Sequence, residues 1–196
     1  LLYELQHRVK NILATIGALA SRMLRGSTSL PEFSEAFLGR LRAMGATHDL
    51  LSQANWGGAD LKHLVESVIR GQSPTTGAVA LEGPEVLLTP NTASTLGMVF
   101  YELATNAAKY GALSEAKGRI EVGWRRLRSA GDDRLSIEWR EIGGPAAPDK
   151  LPDGFGTGFI RRSVEYELQG TAVAQPSLTG LRWRLEFPVA GNVQHV

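Results

Sequence analysis

Residues 96–110 read LGMVFYELATNAAKY, and this segment predicts most of a long helix over about residues 91–110. Apolar side chains surround nearly the whole helix that it predicts, which is typical of a helix buried inside a domain. Glu102, Asn106 and Lys109 interrupt the pattern at positions i, i+4 and i+7, so they share one helical face. A carboxylate, an amide and an ammonium group are costly to bury without partners. They suit magnesium and phosphate, but an internal network of the three groups explains this pattern equally well.

The sequence on both sides of this helix predicts a mixture of helices and strands. A helix over about 59–70 and short strands at 79–82 and 86–88 precede it, and strands at 119–127 and 135–141 follow. A segment rich in glycine and proline, 143–158, leads to a helix at 159–168 and to strands at 171–175 and 181–188. Because the strands and helices are segregated, we predict an α+β sandwich over residues 59–196.

Residues 1–55 have a different pattern, with apolar positions three and four residues apart, as in a helical bundle. This pattern predicts a helix over the first 25 residues and, after a break at 26–29, a second helix to about residue 54. Ser29 and Glu32 have the spacing of a capping box at its start. A hairpin of two such helices cannot bury its apolar seam alone. We therefore expect a homodimeric four-helix bundle, although a sensor domain or the second domain of a monomer could cover the same seam.

Glu141 ends the strand predicted at 135–141, on the same face as its apolar side chains. A carboxylate in this position can accept a hydrogen bond from the amino group of a nucleotide base. Gly143 and Gly144 follow, and residues 154–158, GFGTG, open the next helix. Free backbone N–H groups at a helix start can bind phosphate. A GxGxG string alone is weak evidence, but its position after the helix triad and Glu141 strengthens it.

His7 lies off the apolar seam of the first predicted helix, with Asn11 one turn further on the same face. A large fraction of histidine is unprotonated near neutral pH, so an accessible imidazole can act as a covalent nucleophile. For a single histidine on a helix, the alternative interpretation is a solvated surface side chain.

Taken in order, these segments resemble the HWE class of sensor histidine kinases over nearly the whole chain. Residues 4–11, ELQHRVKN, resemble its H-box, and residues 101–114, YELATNAAKYGALS, resemble its N-box. Residues 139–145, WREIGGP, are similar to its WxE motif joined to a first glycine box, and residues 154–158 are similar to the second. The sequence departs from the class at Tyr101, where the class carries a histidine.

The resemblance implies a helical dimerisation and histidine-phosphotransfer domain at residues 1–55 and a Bergerat-type ATP-binding domain at residues 59–196. It implies ATP and Mg²⁺ as cofactors, with Asn106 and Glu102 meeting the metal. His7 would be the phosphoacceptor, and Glu102 and Asn11 would complete the catalytic set. Lys109 would contact phosphate, and Glu141 the adenine amino group. The expected nucleotide-binding residues are Asn106, Lys109, Tyr110, Glu141, Gly143, Gly144, Gly154, Gly156, Thr157 and Gly158.

The implied activity is that of a protein-histidine kinase in a two-component system. His7 would take a phosphoryl group from ATP and pass it to an aspartate of a response regulator, while a sensor domain is expected upstream of this fragment. One rival is an ATPase or protein-serine kinase of the same nucleotide-binding superfamily. A second rival is a scaffold or phosphotransfer protein whose ATP site is vestigial.

The amino-acid composition excludes some kinds of protein and of site. A hydrophobic share of 43% supports a packed core, and a net charge of +1 gives no indication of a nucleic-acid partner. The absence of cysteine excludes disulfides and thiolate metal sites. No segment approaches the roughly 20 apolar residues that cross a bilayer. We expect a cytoplasmic location, where ATP is present, with any membrane association carried by the sensor part.

Overall fold

The computed structural model describes residues 2–27, 29–70, 79–129, 131–148, 151, 155–178 and 180–194, with the backbone alone at 2–5, 7, 8, 11 and 155. The chain forms two compact units, Leu1–Ala43 and Met44–Val196. The boundary between them falls inside the second helix. Among the described helices, none combines the length and the apolar character that crossing a bilayer requires.

The first unit consists of helix α1 (Leu2–Leu24) and the first half of helix α2 (Leu30–Gln53). Among the described side chains of α1, the buried apolar ones are Leu19 and Met23. The backbone N–H groups of residues 26 and 27 both donate to the Met23 carbonyl, which ends the helix. Glu32 N donates to Ser29 Oγ at 3.3 Å, so the predicted serine cap is present at the start of α2.

The last turns of α2 belong to the second unit. Thr47 and Leu51 are buried there. A Cβ atom added at Gly97 of helix α4 (Pro90–Tyr110) would overlap Thr47 Oγ1, so α2 and α4 approach closely at this glycine. The chain leaves α2 through Asn55 and Trp56, both with positive φ, and Trp56 N donates to the Leu51 carbonyl at 2.7 Å.

A five-stranded mixed sheet forms one layer of the second unit, in the order β2-β4-β5-β7-β6. Only β2 is parallel to its neighbour; the other pairings are antiparallel. The strands are β2 (Val79–Glu82), β4 (Arg119–Ser129), β5 (Asp132–Ile142), β6 (Thr171–Ser177) and β7 (Gly180–Pro188). Strands β1 (Ala59–Asp60) and β3 (Leu87–Leu88) form a separate two-stranded sheet.

Helices α3 (Leu61–Arg70), α4 and α5 (Phe155–Arg162) form the second layer, and a π-helix (Ser163–Glu167) continues α5. Alternate residues of the central strands are fully buried, as the period of a β-strand requires when one face of the sheet is covered. Together with the apolar sides of α3 and α4 they make the core, whose largest members are Trp139, Trp183, Phe100 and Phe187.

The start of α4 is fixed by polar contacts. Thr89 caps the helix by accepting from Thr92 N at 3.4 Å, and Pro90 occupies the first turn. The Thr92 hydroxyl donates to Asn192 Oδ1 at 2.9 Å, and the Asn192 amide nitrogen donates to the carbonyls of Leu168 and Pro188. These bonds connect α4 to the last strand and to the end of the π-helix.

The predicted α+β class is confirmed, with one instructive difference in the elements. The sequence predicted a loop as far as residue 158, but α5 begins at Phe155. Gly156 and Gly158 therefore lie inside the helix, although glycine costs about 1 kcal/mol there relative to alanine. The close approach of α5 to α4 explains the glycine at position 156.

Candidate active site

The polar face of α4 changes from buried to exposed along the helix. Glu102 is only 2% exposed, Asn106 is half-buried and Lys109 is exposed. The turns of α4 before Glu102 are apolar and buried, so packing of the helix against the sheet sets the position of the carboxylate. The three groups that were predicted to share a helical face therefore become more exposed along the helix, from Glu102 in the core to Lys109 at the surface.

The first turn of α5 lies against this polar face. A Cβ atom built at Gly156 would be 2.9 Å from Glu102 Oε2 and 3.5 Å from Asn106 Nδ2. Any other residue at this position would fill the space beside the carboxylate and the amide. Glu102, Asn106 and Gly156, which the sequence analysis assigned to metal and nucleotide binding, are therefore brought together.

The donor set at this place fits a magnesium ion. A carboxylate and an amide oxygen are hard oxygen ligands, and Mg²⁺ commonly uses one or two protein ligands while its other positions hold water or phosphate. In the described part of the chain, no group of three or more His, Cys, Asp or Glu side chains could hold a metal ion.

Glu141 is buried at the end of β5, where both of its carboxylate oxygens accept hydrogen bonds. Ala112 N donates to Oε2 at 2.9 Å, and the Trp139 indole donates to Oε1 at a longer 3.4 Å. Burial raises the pKa of Glu141, and the two hydrogen bonds oppose that rise. An ionised carboxylate oxygen has further lone pairs, so Glu141 can accept another hydrogen bond from an amino group.

Two glycines that sequence reasoning did not assign to the site surround Glu141. A Cβ atom at Gly111 would overlap Glu141 Oε2, and one at Gly180 would overlap the Glu141 carbonyl oxygen. Gly180 also has φ +140°, a conformation that favours glycine. Gly111 lies within the N-box-like string, which was a usable signal, whereas Gly180 stands out only as a glycine at the start of a predicted strand.

The structure also places most of the remaining predicted residues. Gly143 has φ +75°, and a Cβ atom at Gly144 would be 2.6 Å from Ala112 Cα, so both glycines permit the turn after β5. Thr157 is buried, whereas Tyr110 is 75% exposed at the end of α4. A Cβ atom at Gly158 would be 3.0 Å from Arg162 Nη1. Gly154 lies outside the described residues.

His7 and Asn11 belong to α1 and to the first unit, whereas the acidic and amide groups above belong to the second. The side chains of both residues lie outside the described part of the chain. Their assignment as phosphoacceptor and neighbouring catalytic residue therefore remains a prediction.

Comparisons with known proteins agree with these features. Residues 4–85 match a family model described as HWE histidine kinase. Blue-light-activated histidine kinases of Brucella ovis and Brucella anthropi are 30% and 34% identical over 191 residues, which is 97% of this chain. The chain spans 39% of the length of these relatives.

Solved structures support the fold. The blue-light activated histidine kinase of Erythrobacter litoralis matches with a TM-score of 0.70 and 20% identity, covering 95% of this chain and 58% of that one. Its separate histidine kinase domain matches with a TM-score of 0.63 and 17% identity, covering 91% and 84%. With residues 4–85 matched by that family model and a likeness to named histidine kinases along 97% of its length, the chain is similar to the HWE histidine kinases.

Proposed function

We propose that this chain is the kinase core of a sensor histidine kinase, which uses ATP and Mg²⁺ to phosphorylate its own His7. The proposal rests on the close approach of Gly156 to Glu102 and Asn106. A buried hydrogen-bond acceptor, Glu141, lies at the end of β5. This arrangement supplies oxygen ligands for a metal, space for phosphate beside a helix start and a hydrogen-bond acceptor for a base. It favours a functional nucleotide site over a vestigial one.

In this proposal the protein mainly binds and orients ATP. Asn106 and Glu102 hold the metal, which when bound neutralises charge on the triphosphate. Lys109 and the backbone amides at the start of α5 bind phosphate oxygens, and Glu141 accepts from the adenine amino group.

The chemical step is phosphoryl transfer to a nitrogen atom. The unprotonated imidazole nitrogen of His7 attacks the γ-phosphorus, a P–N bond forms, and the bond to the bridging oxygen breaks as ADP leaves. Glu102 accepts the proton that the phosphorylated ring releases. Asn11, one helical turn from His7, is the further catalytic residue. The phosphoryl group then passes to an aspartate of a response regulator. We place the reaction in the cytoplasm, where ATP is available, under the control of an upstream sensor domain.

The stability of the phosphorylated product tests this proposal against its rivals. Wild-type protein incubated with γ-labelled ATP is expected to gain label that requires Mg²⁺, is lost in acid and survives in base, because a P–N bond has this stability. Label that survives acid would instead support the protein-serine kinase. ATP turnover without label would support the ATPase, and absence of ATP binding would support the vestigial site.

We further propose that the chain dimerises through its helical hairpin. Several large apolar side chains of the two helices are exposed, namely Val9 47%, Leu13 62%, Leu24 60%, Leu30 74% and Leu38 45%. Val9, Leu13 and Leu24 fall on one face of α1, because they are spaced by four and eleven residues. Burying one leucine contributes about 1.5–3 kcal/mol, so a shared apolar face of this kind stabilises a dimer.

The double variant Leu13→Glu/Leu24→Glu tests this interface. We expect wild-type protein to have the mass of a dimer by light scattering and the variant that of a monomer, because buried carboxylates oppose association. Lys10→Glu changes an exposed charge on the same helix and is expected to leave the dimer intact. A monomeric wild type, or a variant that stays dimeric, would contradict the proposed interface.

A further inference from the structure

We propose that Trp139 is a positioning residue, whose indole N–H holds the Glu141 carboxylate as the acceptor for the amino group of the nucleotide base. This inference rests on the proposed function, since it concerns the same nucleotide site. It assigns to the tryptophan a task that its burial alone does not imply.

The strand geometry places the two side chains together. Trp139 and Glu141 are two residues apart on β5, so both point to the covered face of the sheet. Trp139 is fully buried and Glu141 is 5% exposed. The indole N–H of a buried tryptophan requires an acceptor, and here it donates to Glu141 Oε1 at 3.4 Å. Ala112 N donates to the other oxygen at 2.9 Å.

With one donor at each oxygen, the carboxylate is restrained at both ends. Gly111 leaves the space that Oε2 occupies, and the backbone at Gly180 approaches the Glu141 carbonyl from another side. The Glu141 side chain therefore has little freedom to turn away from one orientation. Recognition of an amino group benefits from this restraint, because the acceptor is already oriented before the base arrives.

The same two donors also favour the form of Glu141 that accepts hydrogen bonds. Burial raises the pKa of Glu141, whereas the bonds from Ala112 and Trp139 lower it. Among the described residues, no charged side chain contributes to this balance. Without the indole N–H, the pKa of Glu141 rises further, and the neutral acid would present a proton toward the amino group of the base.

The chain offers a matched control for this test. Trp183 of β7 lies directly opposite Trp139 in the sheet register and is 1% exposed. On the other side of β5, the residue of β4 that pairs with Glu141 is Ile120. Trp139→Phe and Trp183→Phe therefore remove the same atoms from the same layer of the core, but only the first removes a donor from Glu141.

Affinity for Mg-ATP is measured by titration calorimetry from about pH 5 to pH 8 for wild type and both variants. At neutral pH we expect Trp139→Phe to weaken binding about fivefold, which is the usual size of one neutral-donor hydrogen bond, and Trp183→Phe to change it less than about twofold. Affinity is present above the pKa of Glu141 and is lost as the pH falls through it. Because Trp139→Phe raises this pKa, its affinity should be lost at a higher pH than in wild type or Trp183→Phe.

The outcomes separate this inference from the proposed function. If wild type binds ATP and both variants lose affinity equally, with unchanged pH profiles, Trp139 only packs and the inference is wrong. If wild type does not bind ATP, the proposed function fails first. Should Trp139→Phe not fold, Trp139→Met is compared with Trp183→Met by the same titration. Methionine has no donor for Glu141, so the same difference between the two positions is expected.

Discussion

Gly111→Ala is expected to weaken Mg-ATP binding by about 100-fold, since the loss of a hydrogen bond to a charged group costs about 1.5–3 kcal/mol and the acceptor is also displaced. A Cβ atom at this position would overlap Glu141 Oε2. The backbone of Gly111, with φ −120° and ψ −151°, is accessible to alanine. The cost therefore comes from moving the carboxylate and not from strain in the backbone.

A titration of Mg-ATP into folded protein measures this effect, and Gly45→Ala is its control. A Cβ atom at Gly45 of α2 meets nothing within 4 Å. Alanine in a helix is favoured over glycine by about 1 kcal/mol, so Gly45→Ala should bind ATP normally and unfold at a slightly higher temperature. Normal affinity in a folded Gly111→Ala protein would show that Glu141 does not contact the base.

Asn106→Ala is expected to lower the rate of autophosphorylation by about 1,000-fold, the upper part of the range found when one preorganised electrostatic group is removed from an active site. The amide of Asn106 lies beside Gly156 and on the same helical face as Glu102, where the proposed metal would be held. The rate of label incorporation at saturating ATP is measured over a range of Mg²⁺ concentrations. Asn106→Asp keeps an oxygen ligand and should retain part of the rate and its dependence on Mg²⁺.

Thr105→Ala is the matched control for Asn106→Ala. Thr105 is the adjacent half-buried residue of α4, and we assign it no contact with ATP or metal. Its rate should remain within about twofold of wild type, as for a substitution away from the reacting groups. A rate near wild type in Asn106→Ala, with an unchanged dependence on Mg²⁺, would remove Asn106 from the metal site.

The helix triad shows what local sequence can predict. The spacing of Glu102, Asn106 and Lys109 fixes their common face in any α-helix, so this part of the site followed from the period of the helix alone. The same pattern could not distinguish an internal polar network from a ligand-binding site. The structure adds the position of Gly156 beside these side chains. This position depends on the tertiary fold, which brings the start of α5 against α4.

The glycines around Glu141 show why the rest of the site was less predictable. The need for glycine at positions 111 and 180 comes from where Glu141 lies after β5 and β7 have paired. Such approaches depend on residues 30 or more positions away, and periodicity carries no information about them. The start of α5 was predicted too late for a related reason. Glycine usually indicates a loop, but Gly156 is required where α5 packs against Glu102 and Asn106 of α4.

His7 is proposed to accept the γ-phosphoryl group of ATP, and one labelling experiment distinguishes it from the other histidines. Wild type, His7→Gln, His48→Gln and His63→Gln are incubated with γ-labelled ATP and Mg²⁺ after each is shown to bind ATP. His48 packs edge-on against Trp56, whereas the His63 side chain is exposed beside Asp60 at the start of α3, so the two variants are a packed control and an exposed control. We predict acid-labile label on wild type and on both controls, and none on His7→Gln. Undiminished label on His7→Gln would contradict the assignment of His7 and with it the proposed reaction.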